Sequence, residues 1–249
     1  MTNIGVFDSG LGGLTVLSKL AKEKNANYFY FGDSKRAPYG SRDKETIIKF
    51  TEEIVDFLED FDIDTYVIAC NTISVIATDY LCNKYGKNFI PISDAGVKKA
   101  LEYDGDYLVL ATETTVNSHY YRETLGEQSE DLVYEVNAGG MVRLIEDGKT
   151  DSPEMDELLE NYLKFANENK IPNIILACTH FPLAADAIKK NLNYEASLIN
   201  PADRIVKSLD IAQNEKNKIH IFMSEINDNT LAVIDSLIES DYELLCKEL

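Results

Sequence analysis

The chain has 249 residues, 45% of them hydrophobic and 27% charged, and its 43 Asp and Glu against 24 Lys and Arg leave a net charge of −19. That acidity repels phosphate backbones and anionic lipid, so it argues against a nucleic-acid or membrane-surface partner, while the apolar content argues against a disordered chain. For 28.0 kDa, area scaling gives a folded surface of roughly 11,000 Å² against about 41,000 Å² unfolded, enough burial for one large domain or two small ones.

The opening Met1–Asp8 has no basic stretch and no long apolar run, and nothing further on approaches the ~18 apolar residues that would span a bilayer. Short β-branched or aromatic runs predict strands at Ile4–Phe7, Tyr28–Phe31, Thr65–Ala69, Phe89–Ile92, Tyr107–Ala111, Leu132–Val136, Asn173–Ala177 and Lys218–Phe222. Between them lie helical spacings such as Ile47, Ile48, Thr51, Ile54, Val55 and Leu58. Ser152-Pro153-Glu154 and Asn200-Pro201-Ala202-Asp203 each read as a helix start, with a capping side chain, an early proline and an acid on the dipole. Strands alternating with helices, the strands nearly continuous in apolar residues, predict an α/β fold with mostly parallel sheets covered on both faces.

One stretch is echoed. Tyr66-Val67-Ile68-Ala69-Cys70-Asn71-Thr72 is matched by Ile174-Ile175-Leu176-Ala177-Cys178-Thr179-His180, each a strand ending in Ala-Cys and followed by a helical pattern. Two coincidental Ala-Cys pairs in an α/β protein would explain it. A duplicated half-molecule would explain it too, and would set one cysteine at the C-terminal end of a strand in each half, where open α/β sheets bind ligands.

Four cysteines, Cys70, Cys82, Cys178 and Cys246, are too few and too scattered for a disulfide framework or a zinc spacing, which fits a soluble protein of a reducing compartment. Cys82 and Cys246 read as small buried hydrophobes. Cys70 and Cys178 stand where a strand passes into a helix, whose free N–H groups and dipole favour a thiolate. The turn Phe7-Asp8-Ser9-Gly10-Leu11-Gly12-Gly13 lacks the third glycine of a dinucleotide fingerprint, since position 15 is Thr15, and it lacks the Lys-Ser/Thr of a P-loop. It is left as a tight turn whose amides can hold a small carboxylate, with Asp8 able to act on an ammonium or a thiol. His180 can set the charge of the nearby Cys178 or of a substrate group, whereas His119 and His220 read as surface or satisfied residues. A Cys–His hydrolase is one reading of that pair. The acidic runs near 127–131 and 151–160 read as solvated faces.

Taken together, these segments resemble the cofactor-independent glutamate racemases of the aspartate/glutamate racemase superfamily. The resemblance runs through Gly5-Val6-Phe7-Asp8-Ser9-Gly10-Leu11-Gly12-Gly13, Phe31-Gly32-Asp33 with Pro38-Tyr39-Gly40, and Ala69-Cys70-Asn71-Thr72. It continues through Thr112-Glu113-Thr114-Thr115-Val116-Asn117-Ser118 and Cys178-Thr179-His180-Phe181-Pro182-Leu183. It implies two pseudo-twofold-related α/β domains, residues 1–97 with 208–249 and residues 98–207, with the active site in the cleft between them. It also implies that Cys70 and Cys178 are acid/base residues on opposite faces of the substrate's α-carbon, aided by Asp8, His180 and Glu146. Asp8, Ser9, Tyr39, Gly40, Asn71, Thr72, Thr115, Thr179 and His180 would hold the substrate. Neither cofactor nor metal is expected. A cytoplasmic enzyme supplying D-glutamate to peptidoglycan follows from the resemblance, with a homodimer as one assembly open to it. The rival readings are a racemase for aspartate or another acidic amino acid, a Cys-dependent decarboxylase or hydrolase on the same scaffold, and an amino-acid-binding module.

Overall fold

The apolar runs form ten strands in a computed structural model that describes residues 1–249. They are β1 (Asn3–Asp8), β2 (Asn27–Gly32), β3 (Thr65–Ile68), β4 (Asn88–Pro91), β5 (Tyr107–Ala111), β6 (Val133–Asn137), β7 (Asn173–Ala177), β8 (Ser197–Ile199), β9 (Lys218–Met223) and β10 (Tyr242–Cys246). They pair into a six-stranded sheet of order β10-β9-β2-β1-β3-β4 and a four-stranded sheet of order β6-β5-β7-β8. Every ladder in both is parallel. The order β2-β1-β3-β4 in the first recurs as β6-β5-β7-β8 in the second, so the duplication suggested by the two Ala-Cys segments is present in the topology. Both ends of the chain belong to the larger sheet, through β1 and through β9 and β10.

Parallel strands with helices on both faces bury alternate residues to opposite sides. In the larger sheet, Val6, Tyr30 and Val67 enter one core while Phe7, Phe31 and Ile68 enter the other. The smaller sheet divides Leu108, Leu110, Ile174 and Leu176 from Tyr107, Val109, Ala111 and Ile175 in the same way. The two lobes are joined by shared packing: the helix Ile92–Ala100 gives Ile92 and Ala95 to a core of the first and Val97 and Ala100 to a core of the second. The folded surface of 11172 Å² agrees with the value expected for this mass. No helix is long and apolar enough to cross a membrane.

The helix Lys44–Leu58 buries Ile47, Thr51, Ile54, Val55 and Leu58, and Asp43 caps it by accepting from the Thr46 N–H. Ser152 caps Pro153–Tyr162 as its sequence suggests, accepting from the Met155 N–H. Asn200 accepts from the Ala202 N–H, but the helix it opens, Ala202–Ile205, lasts one turn. Cys82 is half-buried and Cys246 exposed on the edge strand β10, so neither is the buried hydrophobe that its apolar neighbours suggest.

Candidate active site

The C-terminal ends of the central strands carry the polar residues. Asp8 is the last residue of β1 and Ser9 follows it; Thr112 likewise follows β5. Cys70 lies two residues past β3, in extended backbone before the 15-residue helix Asn71–Tyr85, and Cys178 comes directly after β7. Ser9, Cys70, Asn71, Thr72, Cys178, Thr179 and His180 close around one cavity of about 20 Å³, with Tyr39 and Gly40 from the loop after β2, Thr112, and Glu146 at the end of the helix Gly140–Glu146. Asp8 and Thr115 stand just behind that wall, both fully buried. A wider hollow of about 640 Å³ opens along the outer edge of β6, beside Leu132, Tyr134 and Phe165. It contains none of these strand-end residues, so size does not locate the site.

Close approach of the lobes depends on glycine. A Cβ on Gly12 would lie 2.3 Å from Thr179 Oγ1 and 2.7 Å from His180 Nδ1, and one on Gly40 would lie 2.5 Å from the Thr112 Cβ. Hydrogen bonds then tie the halves together. Thr179 Oγ1 donates to Asp8 Oδ2 at 3.1 Å, the Thr114 N–H donates to the Gly40 carbonyl at 2.9 Å, and Thr72 and Thr112 pair through their hydroxyls at 2.9 Å. The Tyr39 hydroxyl donates to the fully buried Asp33, which also takes the Arg36 Nε–H at 2.5 Å, fixing the loop that carries Pro38 and Gly40.

The two sulfurs meet different electrostatics. The Cys70 thiol donates to Ser9 Oγ at 3.6 Å. Burial pushes it up to about 12; the Asp8 charge works in the same direction, the Ile73 N–H and the Ser9 hydroxyl offset part of this, and the charge of Cys178 adds a little more. The helix N-terminus therefore does not leave Cys70 a ready thiolate, as strand-end placement alone suggests; loss of water outweighs it. Cys178 has no α-helix directly behind it, because the chain turns first through the short 3₁₀ segment Phe181–Ala184. Its partner is His180 Nδ1 at 3.7 Å, and His180 Nε2 in turn meets Glu146 Oε1 at 3.0 Å. Burial opposes charge on this imidazole, yet the hydrogen bonds and charges of Cys178 and Glu146 prevail and hold it well above its ordinary value. Burial likewise raises Asp8, against the His180 charge, the Gly10 and Gly13 N–H groups and Thr179. The cleft thus pairs a protonated thiol on one side with a sulfur facing an imidazolium on the other.

No Lys or Arg lines the cavity, so an anionic ligand would be held by hydroxyl, amide and backbone donors. No group of three or more His, Cys, Asp and Glu side chains is placed to hold a metal ion. Sequence reasoning overlooked Ala37, Pro38, Thr112, Val142 and Ala177 as residues of the wall. Thr112 could have been found by its place after β5, matching that of Ser9 after β1. Val142 gives no such signal.

The chain is thus an α/β protein in which strand-end cysteines from two related lobes line one small cavity. The family model described as Asp/Glu/Hydantoin racemase matches residues 4–209, and the chain belongs to that family. A glutamate racemase from Campylobacter jejuni subsp. jejuni is 38% identical over 231 residues, covering 89% of this chain and 92% of its own. Among solved structures, glutamate racemase from Francisella tularensis subsp. tularensis, in complex with D-glutamate, is similar with a TM-score of 0.87 and 29% identity, over 100% of this chain and 97% of that one. Glutamate racemase isoform RacE1 from Bacillus anthracis gives a TM-score of 0.92 at 26% identity, over 100% and 98% of the two chains.

Proposed function

We propose that this chain interconverts L- and D-glutamate by moving protons between the substrate's α-carbon and two thiols. The carrying observation is that Cys70 and Cys178, from equivalent strand ends of the two lobes, line the same cavity. One base acting alone would have to swing around the substrate; two bases need only opposite placement. In one direction the Cys178 thiolate, facing the His180 imidazolium, removes the α-proton of L-glutamate, and the Cys70 thiol delivers its own proton to the other face. D-glutamate leaves, with Cys178 now a thiol and Cys70 a thiolate. The reverse reaction starts from that state, and exchange with solvent also resets it.

Such proton transfers are general acid–base catalysis, and their cost falls when fixed donors meet the negative charge that develops on the α-carboxylate. Ser9, Asn71, Thr72 and the backbone N–H of Thr179, whose hydroxyl is given to Asp8, are those donors in this reading, with Thr115 supporting Thr112 through a 3.2 Å hydroxyl contact. From behind the wall the Asp8 carboxylate favours the substrate ammonium in the cavity by its charge, and the positive charge of that ammonium eases ionisation of Cys70. Tyr39 and Gly40 close the side-chain end. A cavity of about 20 Å³ is smaller than glutamate, so it widens to admit the substrate.

The same reading divides the chain into residues 1–97 with 208–249 and residues 98–207, and it takes the protein to be cytoplasmic and its product to serve peptidoglycan synthesis; a homodimer is one assembly open to it. These parts rest on the family resemblance. A circular-dichroism time course with L-glutamate and then L-aspartate tests the substrate. Decay of the L-glutamate signal to zero is the expected result, and decay with L-aspartate alone would move the reading to an aspartate racemase.

A further inference from the structure

Asn71 opens the helix after Cys70, is 3% exposed and lines the cavity. Its side chain is half satisfied. Oδ1 accepts from the Tyr121 hydroxyl at 2.6 Å, while Nδ2 is buried with no partner. Tyr121 belongs to the other lobe, on the helix Tyr120–Gly126 packed against the smaller sheet, and it is fully buried outside the cavity wall. A buried amide hydrogen without an acceptor forfeits its bonds to water with nothing in return, so its persistence at a binding cleft calls for a ligand oxygen.

A carboxamide can present either end, and the contact with Tyr121 selects one. At 2.6 Å the pair has the spacing of O–H···O, shorter than the usual 2.9–3.0 Å of N–H···O. Turning the amide around would leave both the phenol hydrogen and Oδ1 without their partner. Burial also keeps the Tyr121 hydroxyl protonated, raised well above the ordinary phenol value with the charges of Tyr120 and Asp94 adding to it, so it stays a donor. Room for it is reserved at Gly96, where a Cβ would lie 2.5 Å from the Tyr121 Oη.

We propose that Tyr121 is a positioning residue: it fixes the Asn71 carboxamide from across the lobe boundary so that Nδ2 donates to a carboxylate oxygen of the bound substrate. The inference rests on the amino-acid racemase reading and extends it, since the donor on one lobe is set by a residue of the other. Substrate therefore finds its full set of donors only when the lobes are together. Gly96 belongs to the same device as the clearance that lets the phenol reach Asn71.

The test is a cycle of four proteins, wild type, Tyr121→Phe, Asn71→Ala and the double variant, titrated calorimetrically with racemic glutamate, whose composition racemisation leaves unchanged. Tyr121→Phe should weaken binding about three- to tenfold, within the range for losing one neutral hydrogen bond. In the Asn71→Ala background the same change should alter binding by less than about twofold, because its route of action is gone. An equal weakening in both backgrounds, or unchanged binding in Tyr121→Phe, would overturn the proposal. Gly96→Ala, which displaces the phenol from a different helix, should reproduce the Tyr121→Phe effect and its dependence on Asn71, and failure to do so in a folded protein counts against it. Failure of the activity itself would show separately, as wild-type protein that leaves the circular dichroism of L-glutamate constant.

Discussion

The hydroxyl of Thr179 donates to the carboxylate of Asp8 at 3.1 Å, joining residues 171 positions apart in the chain. Asp8 ends β1 of the larger sheet and Thr179 follows Cys178 of the smaller, so the contact fixes the two strand ends against each other. Through it, the acid that raises Cys70 and the segment that holds Cys178 and His180 form one structure. Removing a residue from either side should therefore disturb both sulfurs.

In the proposed mechanism Cys70 and Cys178 carry the chemistry, and they should be separable from the other two cysteines. Cys70→Ala and Cys178→Ala should each lower racemisation by at least about a hundredfold, the lower range for removing an acid/base group, with circular dichroism of the backbone unchanged. Cys82→Ala and Cys246→Ala should turn over at wild-type rates. Near-normal turnover in either of the first pair would remove the two-thiol mechanism.

The polar partners should act unequally on the two directions. Enantiomers have equal free energy in achiral water, so kcat/KM is the same from L- and D-glutamate in every variant, and asymmetry can appear only in kcat and KM separately. His180→Asn removes the cation beside Cys178, and Asp8→Asn removes the anion beside Cys70. Each should lower kcat by a different factor for the two enantiomers. Glu146→Gln should follow His180→Asn with a smaller effect. Initial rates at saturating substrate from both sides decide it; wild-type kcat values in both directions for both main variants would make Asp8 and His180 structural residues only.

The clearance at Gly12 should be indispensable. A methyl group there meets Thr179 and His180 rather than a yielding chain end, and misplacement of a reacting group by about 1 Å can cost about a hundredfold in rate. Gly12→Ala should lose activity on that scale, while Gly126→Ala, with nothing within 4 Å of its added Cβ, should keep it. Comparable rates in the two variants would show that the lobes do not need this approach.

The charge on His180 predicts a pH dependence of stability. Its value in the folded protein lies above the unfolded value of about 6.5. The stability it contributes is therefore complete below about pH 6.5 and is lost as pH rises through the folded value. From pH 6.5 to 9 the melting temperature of the wild type should fall more steeply than that of His180→Asn. Parallel slopes would mean that the imidazole is neutral in the folded protein.

Most of the sheets can be read from the sequence because buried parallel strands are continuous apolar runs. β8 and β10 escape that reading for a physical reason. β8 is three residues with Ser197 and Leu198 only half-buried, and β10 lies at a sheet edge with Glu243, Leu245 and Cys246 exposed, so neither leaves a buried pattern. In the site, Cys70, Cys178, Asp8 and His180 are legible because strand ends and turn residues mark them. Their electrostatics are not. Strand-end placement suggests a helix-stabilised thiolate at both cysteines, whereas burial dominates at Cys70 and a 3₁₀ turn replaces the helix at Cys178. Nor does any local signal show that Tyr121 reaches Asn71, since that contact exists only once the lobes are together.

The claim that two thiols serve opposite faces is tested most directly by the fate of hydrogen in deuterated water. If one sulfur removes the α-proton and the other delivers its own solvent-exchanged deuteron, product formed early from L-glutamate should carry deuterium at the α-carbon while the remaining L-glutamate stays protiated, and D-glutamate should give the mirror result. Mass spectra of the separated enantiomers within the first few per cent of conversion measure both. Early product that keeps the original proton, or equal deuterium in substrate and product, would contradict the two-base account even if the protein racemises glutamate.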